Sequence, residues 1–111
     1  MTHSRFRCLH FVQVDASDVC VWYGVGKMAV QLGDVRLARH AFEQGLACSS
    51  GHWPCLDELV GVLYAIGDDL ACLHRIAQAL AKDPYYVKGL VFRDRIFDEV
   101  SLDSIAIFTN S

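Results

Sequence analysis

An apolar–Gly–Asp triplet occurs twice in this chain of 111 residues, as Leu32-Gly33-Asp34 and as Ile66-Gly67-Asp68, 34 positions apart. Setting residue i against i+34 also pairs His40 with His74, Gln44 with Gln78, Leu46 with Leu80 and Ala47 with Ala81. Counting the Gly and the Asp, six identities fall within the fifteen positions 33–47, where average residue usage gives about one by chance. Glycine can take the left-handed conformation that ends a helix. Aspartate can accept hydrogen bonds from the free N–H groups that begin the next one. The triplet is therefore a helix stop followed at once by a helix start, and it recurs at a fixed interval.

That interval is the period of the tetratricopeptide repeat, a helix–turn–helix unit. In the first unit Trp22, Val25, Met28, Ala29 and Leu32 recur at three- and four-residue steps and predict one apolar helical stripe. Leu37, Ala38, Ala41, Phe42, Gly45 and Leu46 predict a second, with Gly51 as a further stop. The next unit opens on Pro54, which suits a first helical turn. It continues with Leu56, Leu59, Val60, Leu63 and Tyr64, then Cys72, Ile76, Ala79 and Leu80. Asp83-Pro84 closes it, because the residue before a proline is pushed out of helical geometry. Small residues fall where the repeat needs its two helices close: Gly26, Ala38, Gly45, Cys72 and Ala79. Val60 departs from that pattern beside Gly61, and Ala29 and Leu63 stand where the repeat has an aromatic.

The expected fold is all-α, a short right-handed solenoid of tandem helix–turn–helix repeats over 15–99, with units at 19–52 and 53–86 and a partial unit at 87–99. Residues 1–14 read as the end of a preceding repeat, although their alternation also fits a strand. Residues 100–111 read as a frayed tail. A solenoid buries its core only against its neighbours and normally uses about three or more repeats with polar caps. Two full units without an evident cap predict a segment of a longer array that is marginally stable alone or self-associates.

Composition narrows the function. With 53% hydrophobic and 21% charged residues and a net charge of −3, the chain has no basic footprint for direct nucleic-acid binding. No apolar run reaches the roughly 18 residues of a membrane span, and the start lacks the pattern of a secretory signal. The five cysteines, Cys8, Cys20, Cys48, Cys55 and Cys72, are odd in number and read as reduced thiols of an intracellular protein. Zinc on Cys48, His52 and Cys55 would lack the usual two close ligand pairs. Cys20, Cys48 and Cys55 lie near expected helix ends, where a lowered thiol pKa could make a nucleophile, yet no catalytic motif accompanies them. Asp68-Asp69 reads as capping. No catalytic residue, metal or cofactor is expected.

A binding surface is expected on the concave side formed by the first helix of each unit. Tyr23, Lys27, Val30, Asp57, Tyr64, Lys88 and Arg95 would line it, and Tyr and Arg are common interface anchors. The same residues would also suit a solvated face or contacts with neighbouring repeats. Repeats that hold chaperone tails use Lys and Asn as a carboxylate clamp. Here the comparable positions hold Tyr23 and Lys27, then Asp57 and Gly61, and Asp57 would repel a terminal carboxylate. Trp22 and Trp53 read as packing anchors.

The stretches LARHAFEQGL, HWPCLDELVGVLY and YYVKGLVFRDRIF, within Val14 to Glu99, resemble the N-terminal repeat region of the calcineurin-binding Cabin family. That resemblance implies a nuclear scaffold associated with the HIRA histone-chaperone complex, which deposits a variant histone outside replication. The family also restrains calcineurin and the myocyte enhancer factors, through regions toward its far end that are not carried over to this chain. The resemblance implies protein partners, either histone-chaperone subunits or neighbouring repeats. The alternative is a cytosolic peptide-binding module of the cochaperone type.

Overall fold

The computed structural model describes residues 18–110, with side chains through residue 102; the expectation for 1–14 lies outside the described residues. Five helices follow one another: α1 (Val19–Gln31), α2 (Val35–Cys48), α3 (Trp53–Ile66), α4 (Asp69–Lys82) and α5 (Val87–Asn110). No strand occurs among the described residues, as the all-α expectation requires. The helices begin at 19, 35, 53, 69 and 87. The starts of α1, α3 and α5 are thus spaced at the interval of the sequence repeat, and so are those of α2 and α4.

Local chemistry sets each boundary. Asp18 caps α1, accepting from the Cys20 N–H at 2.9 Å. Gly33 and Gly67 sit at φ 77° and 88°, the left-handed conformation that turns the chain out of a helix. The following aspartates then start the next helix. Asp34 accepts from the Leu37 N–H at 3.0 Å, and Asp68 from the Ala71 N–H at 3.2 Å. Asp68, rather than Asp69, is thus the cap of α4. His52 caps α3 through Nδ1, which accepts from the Cys55 N–H at 3.2 Å, and Pro54 lies in the first turn. Asp83 leaves α4 in extended geometry ahead of Pro84.

The helices pack chiefly against their neighbours in sequence. Small residues admit these contacts. A methyl group placed on Gly26 would fall 2.6 Å from Phe42 Cζ and 2.7 Å from its Cδ1, and one on Gly45 would fall 2.6 Å from the Cys55 sulfur. Gly26 thus seats α2 on α1, and Gly45 seats the second hairpin on the first. Ala38, Cys72 and Ala79 are buried as expected, and Val60 is buried where a smaller residue was expected. One core runs along the array through Ala29, Phe42, Leu59, Leu63, Ile76 and Ile96. On the far side Arg39 reaches Glu43 at 2.7 Å and Asp68 at 3.1 Å, joining α2 to the turn before α4.

Two expectations need correction. The buried side of α1 carries Gly26 and Ala29, with Tyr23 packed against the core. Met28 and Leu32 are 64% and 78% exposed, and Val25 is exposed as well. They lie roughly a third to a half turn around the helix from Gly26, away from Phe42. The last helix also continues past Glu99 to Asn110 instead of ending in a frayed tail from 100. Between Val87 and Asn110 there is one glycine, near the start, and no proline, so nothing in the sequence stops it.

Candidate functional site

The residues expected to line a groove lie on α1, α3 and α5, and side chains join these helices. Lys27 of α1 donates to Glu58 of α3 at 3.1 Å. Lys88 of α5 donates to the Asp57 carbonyl at 2.9 Å and lies 3.2 Å from its carboxylate. In both hydrogen bonds the partners are 31 residues apart, one repeat less about one helical turn. Each pair therefore reaches from one helix to a point a turn earlier on the next. Gly61 leaves room for this, since a methyl group there would lie 3.2 Å from the Lys88 ammonium.

The aromatic residues serve packing. Tyr23 leans on Phe42 and His52, with ring centroids 6.0 and 5.9 Å away. Tyr64 stacks on Phe92 of α5, with centroids 4.3 Å apart and planes 2° from parallel. Trp22 meets His40 edge-on at 5.9 Å, and Trp53 meets Tyr86 at 4.8 Å, in keeping with anchoring roles. Val30 lies beside an open depression of about 180 Å³, whose floor is Val30, Val35, Val62 and Ala65 and whose rim carries Glu58 and Lys88. Arg95 is exposed further along α5 and forms no ion pair with a described residue. Of the seven expected residues, the structure thus gathers Lys27, Val30, Asp57 and Lys88 around the junction of α1, α3 and α5. It turns Tyr23 and Tyr64 to packing and leaves Arg95 apart.

Three contributors were not expected from sequence: Glu58, Tyr86 and Phe92. Tyr86 is buried and donates its hydroxyl hydrogen to Asp57. Burial, and then that hydrogen bond, raise its pKa. The Lys27 ammonium is held above its ordinary value by its hydrogen bond to Glu58, with the charge of Glu58 adding to it. Asp57 therefore faces two donors, the Tyr86 hydroxyl and the Lys88 ammonium. No sequence signal pointed to Glu58, because the 31-residue offset shared by Lys27 with Glu58 and by Asp57 with Lys88 follows from how the helices pack.

Two of the cysteines belong to the core. Cys55 and Cys72 are buried, and burial pushes both thiols up to about 11, opposite to the lowered value a helix end could confer on Cys55. Cys72 also donates to the Val60 carbonyl, with sulfur and oxygen 3.6 Å apart. His52 uses Nδ1 as a helix cap. Among the described residues no three of His, Cys, Asp or Glu gather as a metal-holding group, and no helix is long and apolar enough to cross a membrane.

Comparison with known proteins agrees with the resemblance seen in the sequence. Residues 2–101 match the family model of the CABIN1 N-terminal domain. The chain is 40% identical over 90 residues to calcineurin-binding protein 1 of Arabidopsis thaliana, a match covering 81% of this chain and 5% of that relative. The chain thus spans a small part of the length of the curated relative it matches. With the family model running across nearly its whole length, this helical chain belongs to the CABIN1 N-terminal domain family.

Proposed function

We propose that the chain is a non-catalytic protein-interaction segment of a Cabin-like nuclear scaffold, associated with the HIRA histone-chaperone complex. Its architecture in this proposal is a short right-handed solenoid of tetratricopeptide-type hairpins. One observation carries it: helices of both classes restart at the interval of the sequence repeat, and the second hairpin seats on the first through Gly45 against Cys55. Each hairpin then presents one helix to a shared row, the arrangement by which helical repeats build an extended binding face. Polar side chains near that face serve the fold, since Asp57 holds Tyr86 and Lys88, and Glu58 holds Lys27. The buried thiols of Cys55 and Cys72, pushed up to about 11, are poor nucleophiles at neutral pH. These features favour binding over chemistry.

The plant relative is named for binding calcineurin; with 5% of its length represented here, that binding is not part of the proposal. The cochaperone alternative is disfavoured because Lys27 and Lys88 are both engaged with carboxylates, which leaves no ready clamp for a chain terminus. The test is co-precipitation of histone-chaperone subunits with this chain and with a longer array that contains it. Capture by both supports the proposal, and capture by neither refutes it. Micromolar binding of acidic C-terminal chaperone peptides in a calorimeter would favour the cochaperone instead.

A further inference from the structure

The repeat supplies a template for what the depression beside Val30 can hold. Val30 of α1 and Tyr64 of α3 are one repeat interval apart, and so are Glu58 of α3 and Phe92 of α5. Each pair occupies equivalent places in helices whose starts are spaced at that same interval. Between α3 and α5 these places hold the stacked rings of Tyr64 and Phe92, 4.3 Å between centroids. Between α1 and α3 the same places hold Val30 and Glu58, and an open depression of about 180 Å³ remains. Among the described residues, one niche is thus filled by an aromatic pair and its counterpart is lined by Val30, Val62 and Ala65. An enclosed cavity of about 150 Å³ takes up benzene, so the open depression has the size of one ring.

Charge defines the remainder of the partner. The two charges at the rim already have partners in the chain, Glu58 with Lys27 at 3.1 Å and Lys88 with Asp57 at 3.2 Å. An uncharged segment complements such a neutralised rim, and a charged one would have to compete with pairs already made.

We propose that this depression is a docking site for an aromatic side chain presented by an uncharged linear segment of a partner protein. The proposal rests on the protein-interaction function above and names the chemistry of its ligand.

Random linear peptides displayed on phage provide the probe, selected against the whole chain and titrated at low and high salt. Binders are expected to share one Phe, Tyr or Trp in an otherwise uncharged sequence, to be weakened at least about tenfold when Ala replaces the ring, and to respond little to salt. The double substitution Val30→Tyr with Glu58→Phe copies the stacked pair of the next interval, and it should weaken binding at least about tenfold while helix content persists. Should that variant fail to fold, Ala65→Lys, at an exposed floor position, is the second probe with the same expected loss. The proposal is overturned if no binders emerge, if binders lack an aromatic residue or require an acidic terminus, or if a folded variant binds them as tightly as the parent chain. Capture of histone-chaperone subunits by the parent chain is scored separately, so the scaffold function can survive failure of the niche.

Discussion

Two glycines of one helix make opposed predictions, and together they test whether close helix approach governs this fold. Gly24 and Gly26 both lie within α1. In a helix interior Gly→Ala gains about 1 kcal/mol from backbone propensity. At Gly24 an added methyl group meets nothing within 4 Å, so Gly24→Ala should stabilise the chain by about that amount. At Gly26 the methyl group would lie 2.6 Å from Phe42 Cζ, well inside normal carbon contact. Phe42 is fully buried, so its ring has nowhere to withdraw. Overpacking of this kind costs about 1–3 kcal/mol, and the immobile ring places it toward the upper end. Subtracting the propensity gain leaves Gly26→Ala destabilised by roughly 1–2 kcal/mol. For a domain of about this size each kcal/mol moves the melting temperature by roughly 4–8 °C. The two variants should therefore shift in opposite directions when followed by far-UV circular dichroism. Phe42→Leu shortens the ring that obstructs Gly26→Ala, so the two changes should couple by about 1 kcal/mol or more in a double-mutant cycle. If Gly26→Ala proves as stabilising as Gly24→Ala, α1 and α2 do not approach as described and the seating of the array is wrong.

Other outcomes follow from the core and the α3–α5 junction. Cys55 and Cys72 have folded-state values of about 11 against an ordinary 9.0, so the folded state resists losing these protons. Their contribution is complete below 9.0 and is lost as pH rises toward 11. The melting temperature should fall across that window, and Cys72→Ala should flatten the fall; an unchanged slope would refute the assignment. Tyr86→Phe removes the hydroxyl held by Asp57 and should cost about 1 kcal/mol in denaturant unfolding, whereas no change would show that the bond does not tie α5 to α3. Gly67→Ala, at φ 88°, should cost about 1–2 kcal/mol, because a side chain in the left-handed region meets the following carbonyl. A neutral result in the same unfolding assay would show that this turn can relax into another form.

The local grammar of this chain was legible in its residues. Gly33-Asp34 and Gly67-Asp68 end one helix and begin the next through interactions spanning a few residues, so sequence alone suffices to place those turns. The pattern of small residues, Gly26, Gly45 and Ala79 among them, likewise declared which faces must come close. Only tertiary structure decided which apolar side chains are covered. Met28 and Leu32 have the spacing of a buried stripe, but burial depends on a neighbour, and α1 meets Phe42 through its other side. The same holds for the groove. Val30 and Tyr64 are equivalent by repeat, yet one borders a depression and the other is stacked on Phe92. Lys27 finds Glu58 and Lys88 finds Asp57 because successive hairpins are offset by about one helical turn. That offset is set by how whole hairpins pack, a sum over many contacts, and no short stretch of sequence encodes it.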